Sequence, residues 1–159
     1  MLATYIFNET SPAAPGTSAS SQPVESSASW AASGVAAGIL DDADALDISA
    51  DLVGATGGTL DIYVQYSPDT GRNWYDLAHF PQLAAGAAAV KYRFGVGLIA
   101  TASAPVVVGK NLSPALAAST VVQGPWGDRL RLVFVAGAST TAGAPVRVTI
   151  AAMRSYRRP

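Results

Sequence analysis

The chain contains one histidine, His79, and no cysteine. These two counts bound its chemistry. Neither a multi-histidine nor a thiolate metal site can be built, and no cysteine nucleophile or disulfide exists. A Ser–His–Asp arrangement would have to use His79. Asp76 stands three residues before it, as an orienting carboxylate beside a base would. Residues three apart on a regular strand face opposite ways, however, so a packed or surface histidine is expected. Asp41, Asp42, Asp44 and Asp47 form a short acidic run. Spaced carboxylates can hold Ca²⁺, but the turn glycine and terminal glutamate of a calcium loop are missing. A solvated strand entry is the expected reading. No catalytic residue, no metal site and no cofactor is assigned, and the chain does not read as an enzyme.

Ser67-Pro68-Asp69-Thr70-Gly71-Arg72-Asn73-Trp74 has the Ser-x-Asp-x-Gly-x-x-Trp form. It resembles the Asp-box hairpins of sialidase-like propellers. In such a turn the Asp side chain accepts backbone N–H bonds, the glycine supplies positive φ, and the aromatic ring packs beneath. Those propellers carry several boxes, clustered arginines and a tyrosine nucleophile, which have no match here. Ser67, Asp69, Gly71 and Trp74 are therefore expected to brace a hairpin. Trp126, between Gly-Pro and Gly, is expected to cap the domain from a loop.

The elements that must position these residues are short strands. Leu46, Ile48, Ala50 and Leu52 alternate with Asp47, Ser49 and Asp51, the pattern of a half-buried strand. Leu60, Ile62, Val64 and Tyr66 repeat it after the Ala55–Gly58 turn signal, which predicts an antiparallel hairpin between the two. Trp74–Phe80 returns from the Asp-box turn. Val90, Tyr92 and Phe94 share one face of the next strand. Pro105–Val108 reads as a short buried strand, and Leu112–Val122 as either a helical turn or a loop and strand. Leu130, Leu132 and Phe134 oppose Arg129, Arg131 and Val133, and Val146, Val148, Ile150 and Ala152 close the pattern. Seven or eight short strands without a long helix predict an all-β fold, an antiparallel β-sandwich or jelly-roll-like domain.

Residues 1–40 read differently. They form an extended Ser/Ala/Pro-rich arm, and residues 41–159 form the sandwich with a short basic C-terminal tail. A stretch such as Thr10–Ser29 cannot bury enough apolar surface to order itself, so an ordered arm implies something that holds it. The apolar run Leu2–Phe7 reads as a short strand or an anchor, and Trp30 as an anchor onto the domain or a contact with a neighbour. Leu2, Tyr5, Ile6, Phe7 and Trp30 are the candidate anchors onto a partner, and aromatic side chains are favoured at such contacts. Arg154, Arg157 and Arg158 are candidate charge contacts. Charged residues make up 13% of the chain, about half the usual share, which suits a surface partly covered by neighbours. With a net charge of −1 there is no basic field for nucleic acid. Met1–Thr10 has no basic n-region or long apolar core, so no secretory signal is expected. Gly95–Gly109 is too short and broken to span a membrane.

TLDIYVQYSPDTGRNWYDLAHFPQ, followed by GDRLRLVFVAG and VRVTIAAM, resembles small virion proteins of tailed bacteriophages over roughly residues 45–156. Within that group the chain is most similar to capsid decoration (cement) proteins. The resemblance implies a virion structural protein, a homo-oligomer that stabilises the capsid shell through its arm and a sandwich face. Its partners would be the major capsid protein and copies of itself, with no nucleic acid and no membrane. It would be made in the bacterial cytoplasm and end on the capsid surface. The alternatives are a tail or head–tail connector subunit and a carbohydrate-binding module.

Overall fold

The computed structural model describes residues 3–10, 16–21, 25–26, 43–52, 57–69, 71–97, 107–124, 126–127, 129–140 and 145–153, with backbone alone at 3–10, 21 and 25–26. Among these residues the protein is all β, in two antiparallel sheets. The strands are β1 Ala3–Thr10, β2 Ser18–Ser21, β3 Glu25–Ser26, β4 Ala45–Leu52 and β5 Leu60–Ser67. They continue with β6 Tyr75–His79, β7 Val90–Gly97, β8 Thr120–Val121, β9 Arg129–Ala136 and β10 Pro145–Met153. The first sheet has the order β3-β1-β10-β4-β7 and the second β2-β9-β5-β6-β8. Among the described residues, and without the two-residue strands β3 and β8, the strand order is that of an eight-stranded jelly roll.

The period-2 pattern explains the core. Leu46, Ile48 and Leu52 of β4 and Val146, Val148 and Ile150 of β10 are fully buried. They face Leu60, Ile62 and Val64 of β5 and Leu130, Leu132 and Phe134 of β9, in one apolar cluster. Each such side chain contributes about 1.5–3 kcal/mol on burial. Phe80 joins the cluster from the end of β6 and packs edge-on against Phe94 of β7, at a centroid distance of 5.4 Å.

Two sequence expectations change, and one left open is settled. The stretches predicted to form a hairpin, β4 and β5, lie in different sheets, β4 between β10 and β7 and β5 between β9 and β6. Alternation fixes which face of a strand is buried but not which strand lies beside it. The β5–β6 pair around the Asp-box turn is the hairpin. Val107 and Val108, expected in a buried strand, are exposed in a loop. The 112–122 stretch is a loop that ends in β8, with no helical turn.

Residues 1–40 also contribute to both sheets. β1 pairs antiparallel with β10 from Ala3 opposite Ala152 to Thr10 opposite Pro145. β2 pairs with β9 from Ser18 opposite Val135 to Ser21 opposite Leu132. A sheet ladder is made of backbone hydrogen bonds, so a Ser/Ala segment can join one without a large apolar face. Tyr5, Ile6 and Phe7 thus stand, by backbone, opposite Ile150, Thr149 and Val148. Their side chains lie outside the described residues, as do Leu2, Trp30, Arg154, Arg157, Arg158, Asp41 and Asp42.

Candidate functional site

The densest polar cluster lies on the outer face of the second sheet, under the 107–119 loop. It is assembled by a bulge in β6. Val64 pairs with Ala78 but Gln65 pairs with Asp76, so the register shifts by one residue at Leu77. A bulge re-aims the side chains on either side of it. Asp76 and His79, three apart, therefore share the outer face, opposite Gln65 and Tyr63. The expectation that they face opposite ways is corrected: it assumed an unbroken strand.

Sharing a face does not pair them. Asp76 is wholly buried. Its Oδ2 accepts the backbone N–H groups of Gly109 at 2.7 Å, Ala115 at 2.8 Å and Leu116 at 3.0 Å. Its Oδ1 accepts the side-chain amide of Gln65 at 2.8 Å. The loop thus wraps a single carboxylate, at close quarters. A Cβ at Gly109 would lie 2.3 Å from the Ala115 nitrogen and 2.3 Å from Pro114 Cα, so only glycine fits. Asn111, at φ 56°, takes a left-handed conformation that Asn tolerates. Its N–H donates to Trp74 O at 2.9 Å and its Oδ1 accepts Trp74 N–H at 3.1 Å, while Gln65 donates to its carbonyl at 2.8 Å.

Gln65 also links Asp76 to a cation. Its Oε1 accepts Arg131 Nε–H at 3.0 Å and a terminal guanidinium N–H at 2.8 Å. The guanidinium stacks over the Trp74 ring at 4.4 Å, a cation–π contact. Burial pulls the Arg131 pKa down to about 10, and the nearby Asp76 charge offsets part of that pull. The two charges are joined through an amide, and each is spent inside the protein.

His79 holds the far end of the loop. Its Nδ1 donates to Leu116 O at 2.7 Å, and its Nε2 lies 3.1 Å from Asp61 Oδ1. The ring stacks on Tyr63 at 3.8 Å. Burial alone would raise the Asp61 pKa, but the hydrogen bonds from His79 and Gln82 and the His79 charge hold it below the usual carboxylate value. Burial, with the Asp61 and Asp76 charges, pushes the Tyr63 hydroxyl up to about 12. A general base needs one free ring nitrogen aimed at a substrate. Both His79 nitrogens are occupied and the side chain is 5% exposed, so the pair is arranged as a clamp.

The Asp-box residues sit beside this cluster. Ser67 Oγ–H donates to Asp69 Oδ1 at 3.0 Å and accepts Gly71 N–H at 2.8 Å. Asp69 Oδ1 accepts Asn73 N–H at 2.8 Å, and its other oxygen accepts the Asn73 side-chain amide. These bonds, the backbone one first, lower the Asp69 pKa. Gly71 has φ +93°, and Trp74 Nε1–H donates to Gly71 O at 3.0 Å. The box fixes the hairpin and places Trp74 under Arg131.

Sequence reading missed Asp61, Tyr63, Gln65, Asn111 and Arg131 as a cluster. The available signal was Tyr63 and Val133, apolar residues on the face that alternation gives to solvent. Both are buried there with Leu116, which marks that face as covered.

Among the described residues no group of three or more His, Asp or Glu side chains could hold a metal ion. Compared with known proteins, the chain matches no family model, no curated protein and no solved structure.

Proposed function

We propose that the protein is a structural subunit of a tailed-bacteriophage virion, a decoration (cement) protein that binds the capsid shell. One observation carries this reading. In this jelly roll the interior is filled by aliphatic and aromatic side chains, and the polar groups on one outer face are consumed by its own loop. The jelly roll serves viral shells and lectins alike, so the fold is an analogy, and the resemblance read from the sequence favours the shell. The charged outer face of the first sheet and the proposed anchors at Leu2 and Trp30 supply the contacts. Many copies on one lattice add weak contacts through avidity, each burying apolar area worth about 25 cal/mol per Å² before association costs.

The test is co-sedimentation with undecorated, expanded capsids, followed by imaging of the particle. The expected result is saturable binding at repeating lattice positions and capsids that withstand more heat. Binding to tails or isolated connectors in place of capsids would move the subunit there. Binding to a glycan array and to no particle would make it a carbohydrate-binding module.

A further inference from the structure

Strand β7 is an edge of the first sheet, and its neighbour is β4. Part of its outer edge is closed. The Gln123 side chain accepts Gly97 N–H at 2.7 Å and donates to Gly95 O at 3.2 Å, and Gly124 N–H donates to Gly97 O at 3.0 Å. These bonds show which residues of β7 turn their backbone groups away from β4: Gly95 and Gly97. The β4–β7 register runs unbroken from Gly97 to Val90. In an antiparallel ladder this orientation recurs every second residue, so Arg93 and Lys91 present their backbone N–H and C=O to the same open side. Among the described residues no hydrogen bond from beyond the ladder reaches either backbone.

An unpaired edge is a template for another strand. Both residues at the open positions carry exposed cationic side chains. Beside them a shallow groove of about 420 Å³ is lined by Ser49, Asp51, Arg147 and Thr149 as well. Asp47 accepts Arg93 through two bonds, at 3.1 and 2.8 Å, and Asp51 stands opposite Lys91 and Arg147. Among the described side chains beside this edge, Lys91, Arg93 and Arg147 stand with Asp47 and Asp51, three cations with two carboxylates.

We propose that the Lys91–Arg93 edge of β7 is a strand-addition site for an extended acidic segment of another protein. The backbone supplies the ladder bonds. Lys91 and Arg93, two residues apart and so on one face, select carboxylates at alternate positions of the incoming strand. A second copy of the chain fits poorly, because pairing edge to edge sets Lys91 and Arg93 against their own counterparts, and like charges directly opposite destabilise a ladder. The Gln123 closure confines the site to the Val90–Phe94 half. The proposal stands whether or not the protein belongs to a virion.

The experiment titrates the full chain with a soluble peptide of alternating Glu and Thr, with an alternating Lys and Thr peptide as control, at low and high salt. Hydrogen exchange read by NMR should show slowed amides at Lys91 and Arg93 with the acidic peptide alone, and salt should weaken it. Lys91→Glu/Arg93→Glu should bind it about tenfold more weakly, the sum of two exposed charge pairs. Arg93→Pro removes one outward donor and leaves the β4 side intact, so it should also weaken binding. If the proline variant fails to fold, the charge reversal carries the test. No binding of the acidic peptide, equal binding of both peptides, unchanged binding by the charge-reversed protein, protection elsewhere, or self-association through β7 would each overturn the proposal.

Discussion

The two outer faces of this sandwich use polar residues in opposite ways. On the second sheet Asp76, Gln65, Arg131, His79 and Asp61 lie beneath or beside a loop, and hydrogen bonds to that loop and to one another take up their polar atoms. On the first sheet Lys91, Arg93 and Arg147 stay exposed, and Arg93 alone of the three holds an ion pair among the described residues. The difference lies in what covers each face. Low dielectric makes a buried, satisfied network rigid and makes any gap in it costly. Water makes exposed charges cheap to change and leaves them available to a partner. One face therefore contributes mainly to stability, while the other keeps its charges in water.

Removing the centre of the buried network should separate the two faces most sharply. Asp76→Ala leaves three loop N–H groups and the Gln65 amide without their acceptor and Arg131 without its nearby charge. A loss of about 3–5 kcal/mol is expected, the range for breaking a buried charged pair, read by urea denaturation. Fast exchange at Gly109, Ala115 and Leu116 should accompany it, and a variant as stable as the parent would break the comparison. Gly71→Ala, at φ +93° and 3.1 Å from the Arg129 guanidinium, should cost about 1–2 kcal/mol. Its thermal melt checks this.

Asp61 gives a smaller, pH-dependent effect. Its folded pKa is below the unfolded one, so its contribution is present above the unfolded value of about 4 and is lost as pH falls through the folded value. Asp61→Asn should lose about 1 kcal/mol near neutral pH and flatten the acid limb of the stability curve. An unchanged limb would show that the clamp depends on Leu116 O alone. Smallest of all, Lys91→Ala on the open face should change stability by less than about 0.5 kcal/mol. A larger change in its denaturation midpoint would mean that this face, too, serves the fold.

The sandwich was legible because alternation is a local signal. Leu46–Leu52, Leu60–Tyr66, Leu130–Ala136 and Val146–Ala152 each show which face meets the core. Pairing was less legible, since the β4–β5 sequence carries a turn signal in a place where the chain crosses between sheets. The polar cluster was hidden by a single residue: the extra Leu77 moves Asp76 and His79 to one face, and neither composition nor motif announces it. Near the N-terminus the Leu2–Phe7 run could be read as a strand, where β1 lies, but β2 was obscured for another reason. Ser18–Ser21 carries no apolar pattern, and its place beside β9 rests on backbone bonds.

The pairing of β1 with β10 sets an order of events during synthesis. Ala3 meets Ala152, so until β10 has been made β1 can pair only with the two-residue β3. At about 5–20 residues per second this wait is roughly 8–30 s. Contacts between distant parts of a chain also form slowly once both are present. Through that interval Thr4-Tyr5-Ile6-Phe7, an apolar β-prone segment, lacks its long partner strand. Completion of the first sheet thus waits for the synthesis of β10.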